Sequence, residues 1–91
     1  MISESVLDVL ESCRETAIQE IREDLLKCKH IDMEVYFLDN TDDEPSICCV
    51  KSVYLKDNSI IVEYEDYGGK TLSDSIELFT IDTIIDILSN L

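Results

Sequence analysis

The chain has 91 residues, enough for one small domain, and its 45% apolar and 31% charged residues are typical of a globular protein rather than a disordered one. Its 7 basic and 21 acidic residues give a net charge of −14, which repels nucleic acids and anionic membranes and attracts basic proteins and divalent cations. The sequence has neither an apolar run of the ~20 residues that a membrane helix needs nor a signal-peptide pattern, so we expect one cytoplasmic domain over residues 1–91 with reduced cysteines.

The first predicted element is a long amphipathic helix over residues 3–29. Apolar residues recur at steps of three and four from Ile2 to Cys28, and Cys13 lies on the same stripe. Cysteine is among the most buried residue types, so Cys13 and Cys28 are predicted to fill the core. His30 follows two lysines at the negative end of the helix dipole, and we predict that it acts there as a helix-end cation.

A first strand and a hairpin follow this helix. Alternation over Met33–Asp39 predicts a strand whose Tyr36 points outward, and residues 40–45 have the turn chemistry of a loop. The strongest β signal is the hairpin of residues 47–67, in which two β-branched and aromatic runs flank a short polar turn centred on Asp57 and Asn58.

The register of this hairpin can be counted from its turn. The predicted pairs are Leu55–Ile60, Val53–Val62 and Lys51–Tyr64. Because side chains alternate with period two, one face is predicted to be the core, with Leu55, Val53, Ile60, Val62 and Tyr64. The opposite face is predicted to meet water and carries Tyr54, Ser52, Ile61, Glu63 and Glu65.

The next turn, at residues 66–70, decides whether a fourth strand follows. A three-residue loop with a glycine in the left-handed region would pair Leu72 with Tyr64. It would bury three apolar side chains together, Leu72, Ile76 and Leu78. It would also place Asp74 on the core face, which a bulge around that residue would relieve. The alternative is a helix that starts near residue 73 and leaves three strands; we favour four.

The last predicted element is a short amphipathic helix. Thr80 is a suitable N-cap, and Asp82 suits the positive end of the helix. The predicted apolar stripe is Ile81, Ile84, Ile85, Leu88 and Leu91. Together these elements predict a two-layer α+β fold, α-β-β-β-β-α, whose antiparallel meander sheet is covered on one face by an N-terminal and a C-terminal helix.

The residues that could carry chemistry lack the required spacing. The four cysteines include no Cys-x-x-Cys pair, and Cys48 and Cys49 point to opposite faces of one strand, so we predict no metal site. The acidic segment from Asp39 to Glu44 lacks the glycine and glutamate positions of a calcium loop. Because a phosphate-binding loop and a nucleophile elbow are also missing, we predict no catalytic residues, no cofactor and no enzyme.

The distribution of acidic residues is the remaining signal. Residues 32–50 hold six acidic residues and no basic one, and residues 63–91 hold seven acidic residues and one basic one. Aromatic side chains anchor interfaces, and complementary charge speeds association. The predicted binding residues combine both features: Tyr36, Tyr54, Ile61, Glu63, Glu65, Asp66, Tyr67, Asp42, Asp43 and Glu44.

These features favour a non-catalytic module that binds a basic protein, as an inhibitor, an immunity protein or a nucleic-acid mimic does. We expect no direct contact with nucleic acid or membrane. The alternatives are a small metal-binding or enzymatic domain and a structural module whose acidity serves only solubility. A weak homodimer through the uncovered sheet face is a further prediction, although the charge of −14 on each chain opposes self-association.

Overall fold

The fold follows the predicted order of elements. The computed structural model describes residues 4–39 and 45–91, with side chains from Ser12 onward. The elements are α1 (Glu4–Cys28), β1 (His30–Asp39), β2 (Ser46–Lys56), β3 (Ser59–Glu65), β4 (Thr71–Ser75), a 3-10 turn (Ile76–Leu78) and α2 (Ile81–Ser89). The strands form one antiparallel sheet in the order β1-β2-β3-β4, so the predicted α-β-β-β-β-α meander is confirmed.

A continuous cluster of buried side chains joins both helices to one face of the sheet. From α1 it includes Ala17, Ile21 and Leu25, and from α2 it includes Ile84 and Ile87. The strands contribute Val35, Cys48, Val50, Val53, Ile60, Val62 and Tyr64. Burying each branched apolar side chain contributes roughly 1.5–3 kcal/mol to folding. We call the sheet surface under the helices the covered face and the opposite surface the open face.

The turn of the β2–β3 hairpin fits its sequence. Asp57 and Asn58 form a two-residue loop in which both φ angles are positive, 51° and 68°. Turns of this kind match the right-handed twist of the strands that they join, and Asn and Asp tolerate them. Val53 pairs with Val62 as predicted, and both side chains are buried on the covered face.

A β-bulge at Lys51 changes the predicted register in the far half of this hairpin. Tyr64 pairs with Val50 and not with Lys51, because β2 holds one extra residue after Val50. An unbulged strand would bury the Lys51 ammonium on the covered face, and an unpaired buried charge is very costly. With the bulge, Nζ of Lys51 lies 3.7 Å from Oε1 of Glu34, and the covered face receives Val50.

β4 forms through the predicted three-residue loop. Leu72 pairs with Tyr64, and Gly69 has a φ of 83°, in the left-handed region that favours glycine. The predicted bulge around Asp74 is absent, since the pairing of β3 with β4 is continuous. Instead, the carboxylate of Asp74 accepts a hydrogen bond from the Tyr64 hydroxyl, which gives the charge a partner on the covered face.

One predicted core residue is wrong, because β4 ends at Ser75 and a 3-10 turn follows it. Ile76 is buried as predicted, but Leu78 is 76% exposed. The turn replaces the two-residue alternation of a strand with a period close to three, so Ile76 and Leu78 no longer share a face.

The end of α1 also differs from the prediction. Lys29 has a φ of 65°, which ends the helix, and β1 begins at His30, three residues before the predicted Met33. His30 is therefore a strand residue and not a helix-end cation. Arg14 and Arg22 hold α1 against the rest of the fold by donating to the backbone carbonyls of Glu77 and Asn58.

Two cysteines predicted to be buried on α1 are exposed, namely Cys13 and Cys28. They lie on the apolar stripe, but within residues 12–28 the buried α1 side chains are confined to Ala17, Ile21 and Leu25. Cys28 ends the helix beyond this contact, and Cys13 lines a groove between α1 and α2. Helical periodicity predicted the correct face of α1 but not how much of its length the other elements cover.

The predicted N-cap of α2 is confirmed, but the buried face of the helix differs from the predicted apolar stripe. The Thr80 side chain accepts a hydrogen bond from the backbone N–H of Thr83, and Asp82 lies in the first turn. Ile84 and Ile87 are fully buried, whereas Ile85 is exposed although it belonged to the predicted stripe. The side of α2 that packs on the core therefore includes Ile87, which the predicted stripe omitted.

Candidate functional site

The open face gathers residues from distant parts of the chain. Cross-strand partners share a face of a sheet, so the strand register places these side chains in rows. The rows are His30–Tyr54–Ile61, Asp32–Ser52–Glu63, Tyr36–Cys49–Glu65 and Leu38–Ile47. Ser52 is buried within its row, because a short side chain in the middle of a sheet lies between longer ones from both neighbouring strands.

One end of the open face is apolar and exposed. Tyr36, Leu38 and Ile47 are 65%, 60% and 56% exposed, and we call these three residues the apolar corner. Tyr36 was predicted to face outward, but the sequence-based list of binding residues omitted Leu38 and Ile47. Alternation with Tyr36 was a sufficient signal for Leu38. Ile47 reaches this face only because the bulge at Lys51 reverses the alternation of β2.

Carboxylates border the apolar corner, and a lysine lies among them. Glu65 shares a row with Tyr36, and Glu63 lies in the neighbouring row. The pKa of the Lys51 ammonium is raised, first by the neighbouring Cys49 and then by the charges of Glu65 and Glu34. The open face is negative overall, because its four carboxylates, Asp32, Glu34, Glu63 and Glu65, outnumber its two lysines, Lys51 and Lys56.

The other end of the open face is aromatic. The rings of His30 and Tyr54 are stacked with centroids 6.1 Å apart, and Ile61 pairs with Tyr54 across the strands. Nε2 of His30 lies 3.7 Å from Oδ1 of Asp32. Aromatic and branched apolar side chains thus lie at both ends of the face, with carboxylates between them.

The structure brings together half of the sequence-predicted binding residues. On the open face lie Tyr36, Tyr54, Ile61, Glu63 and Glu65. Asp66 and Tyr67 belong instead to the β3–β4 turn, where Oδ1 of Asp66 accepts a hydrogen bond from the backbone N–H of Lys70 and Tyr67 is exposed. Asp66 therefore stabilises its own turn. The predicted residues Asp42, Asp43 and Glu44 lie outside the described residues.

A cavity lies between the covered face and the N-terminal end of α2, and we call it the β1–α2 cavity. Its volume is about 610 Å³. It is lined by Phe37, Leu38, Asp39, Tyr64, Asp74, Leu78, Phe79, Thr80 and Thr83. The sequence-based prediction did not include this cavity, because its walls come from four separate segments that only the fold brings together.

Aromatic rings form much of the cavity wall. Phe37, Tyr64 and Phe79 contact one another edge to face, with ring centroids 5.3–5.6 Å apart. The Tyr64 hydroxyl donates to Oδ2 of Asp74 over 2.6 Å, a short distance typical of a charge-assisted bond. Burial raises the pKa of Tyr64 most, and the hydrogen bond to Asp74 and the charges of Asp74 and Asp39 raise it further.

The cysteines do not form a metal centre in the described part of the chain. Within residues 12–39 and 45–91, whose side chains are described, no three His, Cys, Asp or Glu side chains are grouped so that they could hold a metal ion. All four cysteines are free thiols. Cys48 and Cys49 point to opposite faces, as predicted, with Cys48 on the covered side and Cys49 on the open side, and burial raises the pKa of the Cys48 thiol.

Comparisons with protein-family models, with curated proteins and with solved structures find no match for this chain. Neither α1 nor α2, as far as they are described, is long and apolar enough to cross a membrane. A function therefore has to be argued from the open face and the β1–α2 cavity.

Proposed function

We propose that this protein is a non-catalytic module that binds a basic protein partner through its open face. The observation that carries the proposal is the apolar corner of Tyr36, Leu38 and Ile47, bordered by carboxylates on a sheet face that no described helix covers. Small proteins that inhibit a basic partner or occupy its nucleic-acid site need a surface of this kind.

The physical basis of the proposal is a division of roles within one face. Apolar and aromatic side chains supply most of the affinity when a partner removes them from water, and Tyr36 is the strongest anchor by size. The surrounding carboxylates steer a basic partner into contact and exclude acidic ones. The net charge of −14 extends this attraction beyond the contact area, within the screening length of the solution.

We further propose that the protein acts in the cytoplasm. All four cysteines are free thiols, which is the form that a reducing compartment maintains. Two of them are exposed, so in an oxidising compartment they would be open to intermolecular disulfide formation.

The test is capture of binding proteins from the native host at low and high salt, with the wild-type chain and two charge-reversed variants. The first variant is Glu63→Lys with Glu65→Lys, which reverses the charge on the open face. The second is Glu23→Lys with Asp86→Lys, which makes the same change in net charge at exposed positions of the helices. A third variant, Leu38→Ser with Ile47→Ser, removes two apolar side chains from the corner without changing the charge.

The proposal requires one basic protein that binds the wild type and the helix variant but neither open-face variant. High salt should weaken that binding, because the charged residues of the rim are exposed and screened. Equal loss from both charge reversals would show that only net charge matters. Binding that survives the Leu38 and Ile47 substitutions would contradict the role of the apolar corner.

A further inference from the structure

The β1–α2 cavity differs in position and chemistry from the open face. It lies on the side of the sheet that carries the helices, and its volume of about 610 Å³ is within the range of ligand sites, roughly 300–1,000 Å³. Among the described residues, its lining includes two carboxylates, Asp39 and Asp74, but no lysine, arginine or histidine. From this combination of aromatic walls and carboxylates, we infer that the cavity binds an alkylguanidinium or alkylammonium cation.

The aromatic walls suit the carbon chain of such a cation. Phe37 and Phe79 line the cavity, and Leu78 extends its apolar wall. A short alkyl chain would replace water against these surfaces, and a cation within about 6 Å of a ring centroid is attracted by its π electrons. Guanidinium groups also stack on aromatic rings, which favours them over a compact ammonium.

The carboxylates determine the sign of the bound charge. Asp39 ends β1 and Asp74 lies in β4, so the strands bring them to one cavity from distant parts of the sequence. The Tyr64 hydroxyl donates to Oδ2 of Asp74 and thereby orients this carboxylate. A carboxylate held by one bond retains acceptor positions for a guanidinium N–H.

The helix end in the cavity wall does not favour an anion instead. A helix N-terminus attracts anions through its unpaired backbone N–H groups. In α2, the Thr80 side chain accepts from the backbone N–H of Thr83, and the hydroxyl oxygens of the two threonines are 3.0 Å apart. The cap thus takes up one of the donors that an anion would use, while Asp39 and Asp74 repel the anion.

This inference does not depend on the proposed function. The open face and the cavity lie on opposite sides of the sheet, and Leu38 contributes to both. If the protein binds no basic partner, the inferred cation binding in the cavity still stands. If the cavity binds no cation, the proposed binding of a basic protein at the open face still stands. The substitutions that test the cavity therefore avoid Leu38.

The test is an NMR titration of the full chain with n-butylguanidinium, and in parallel with n-butylurea, its neutral counterpart of similar shape. The cation should shift the backbone signals of residues that line the cavity and should bind at least about tenfold more tightly than the urea, because a hydrogen bond to a charged group is the stronger one. A blocked Gly-Arg-Gly peptide forms a third arm. Tighter binding of the peptide than of n-butylguanidinium identifies a protein side chain as the natural occupant; equal binding identifies a small molecule.

Asp74→Asn and Asp39→Asn each remove one charge from the cavity and should each weaken binding of n-butylguanidinium about tenfold. Glu23→Gln makes the same change in net charge at an exposed position of α1 and should leave the affinity unchanged. The melting temperature of each variant shows whether it is folded. Equal affinity for the urea, equal weakening by Glu23→Gln, or shifts confined to residues outside the cavity would each overturn the inference.

Discussion

The hydrogen bond between Tyr64 and Asp74 should contribute measurably to stability. The bond is 2.6 Å long, Tyr64 is buried, and Asp74 is half-buried opposite Val62. Bonds to charged groups contribute roughly 1.5–3 kcal/mol, and the partial exposure of Asp74 lets water replace part of that loss. We therefore expect Tyr64→Phe to lower the free energy of unfolding by about 1–2 kcal/mol, out of about 5–14 kcal/mol for a chain of this length.

Urea unfolding and thermal melting should both detect this change. A loss of this size lowers the melting temperature of a small domain by roughly 4–16 °C. Tyr67→Phe removes the same hydroxyl from an exposed side chain and is the matched control, with no expected effect. A double-mutant cycle with Asp74→Ala isolates the pair, and a coupling energy below about 0.5 kcal/mol would refute the role given to this bond.

The pH dependence of stability provides an independent check on the same pair. The pKa of Tyr64 is raised above its ordinary value of 10.0 in the folded protein, first by burial and then by Asp74. The unfolded chain therefore loses this proton first, so the stabilisation is fully present below pH 10 and is lost as the pH rises further, by at most about 1.4 kcal/mol per pH unit. Tyr64→Phe should make this alkaline decline shallower; an unchanged slope would contradict the assignment.

Three further predictions concern the core, the thiols and self-association. Val53→Asp and Ile84→Asp should each unfold the chain, because both positions are fully buried and an unpaired carboxylate there costs several kcal/mol; a variant with wild-type melting would show that the core is misplaced. Iodoacetamide should modify the two exposed thiols of α1 quickly and the buried Cys48 and Cys49 slowly, as intact mass over time would show; four equal rates would contradict the described burial. A weak homodimer through the open face predicts a mass by light scattering that rises with concentration, most clearly at high salt, where the charge of −14 is screened; a monomer at every concentration and salt would rule it out.

The sequence by itself determined the elements whose signals are local. Turn chemistry and β-branched alternation were sufficient for the hairpin up to Ser52, and the side on which Leu72 must lie selected the three-residue loop before β4. The N-cap at Thr80 was equally local, because a cap involves only the first turn of its own helix.

Only the tertiary structure decided which parts of these elements are covered. Cys13 and Leu78 are apolar in pattern but exposed, because burial depends on what other elements lie over a residue and not on its own periodicity. The bulge at Lys51 also depends on what lies over the strand, because β2 departs from regular pairing and so keeps the Lys51 ammonium group out of the core.

Both candidate sites depend on such non-local decisions. Ile47 joins the apolar corner because the bulge reverses the alternation of β2, and Asp39 and Asp74 line one cavity although they lie on the two edge strands of the sheet. No local pattern in the sequence predicts either arrangement, because side chains separated by tens of residues come to one site only when the sheet twists and α2 packs against it.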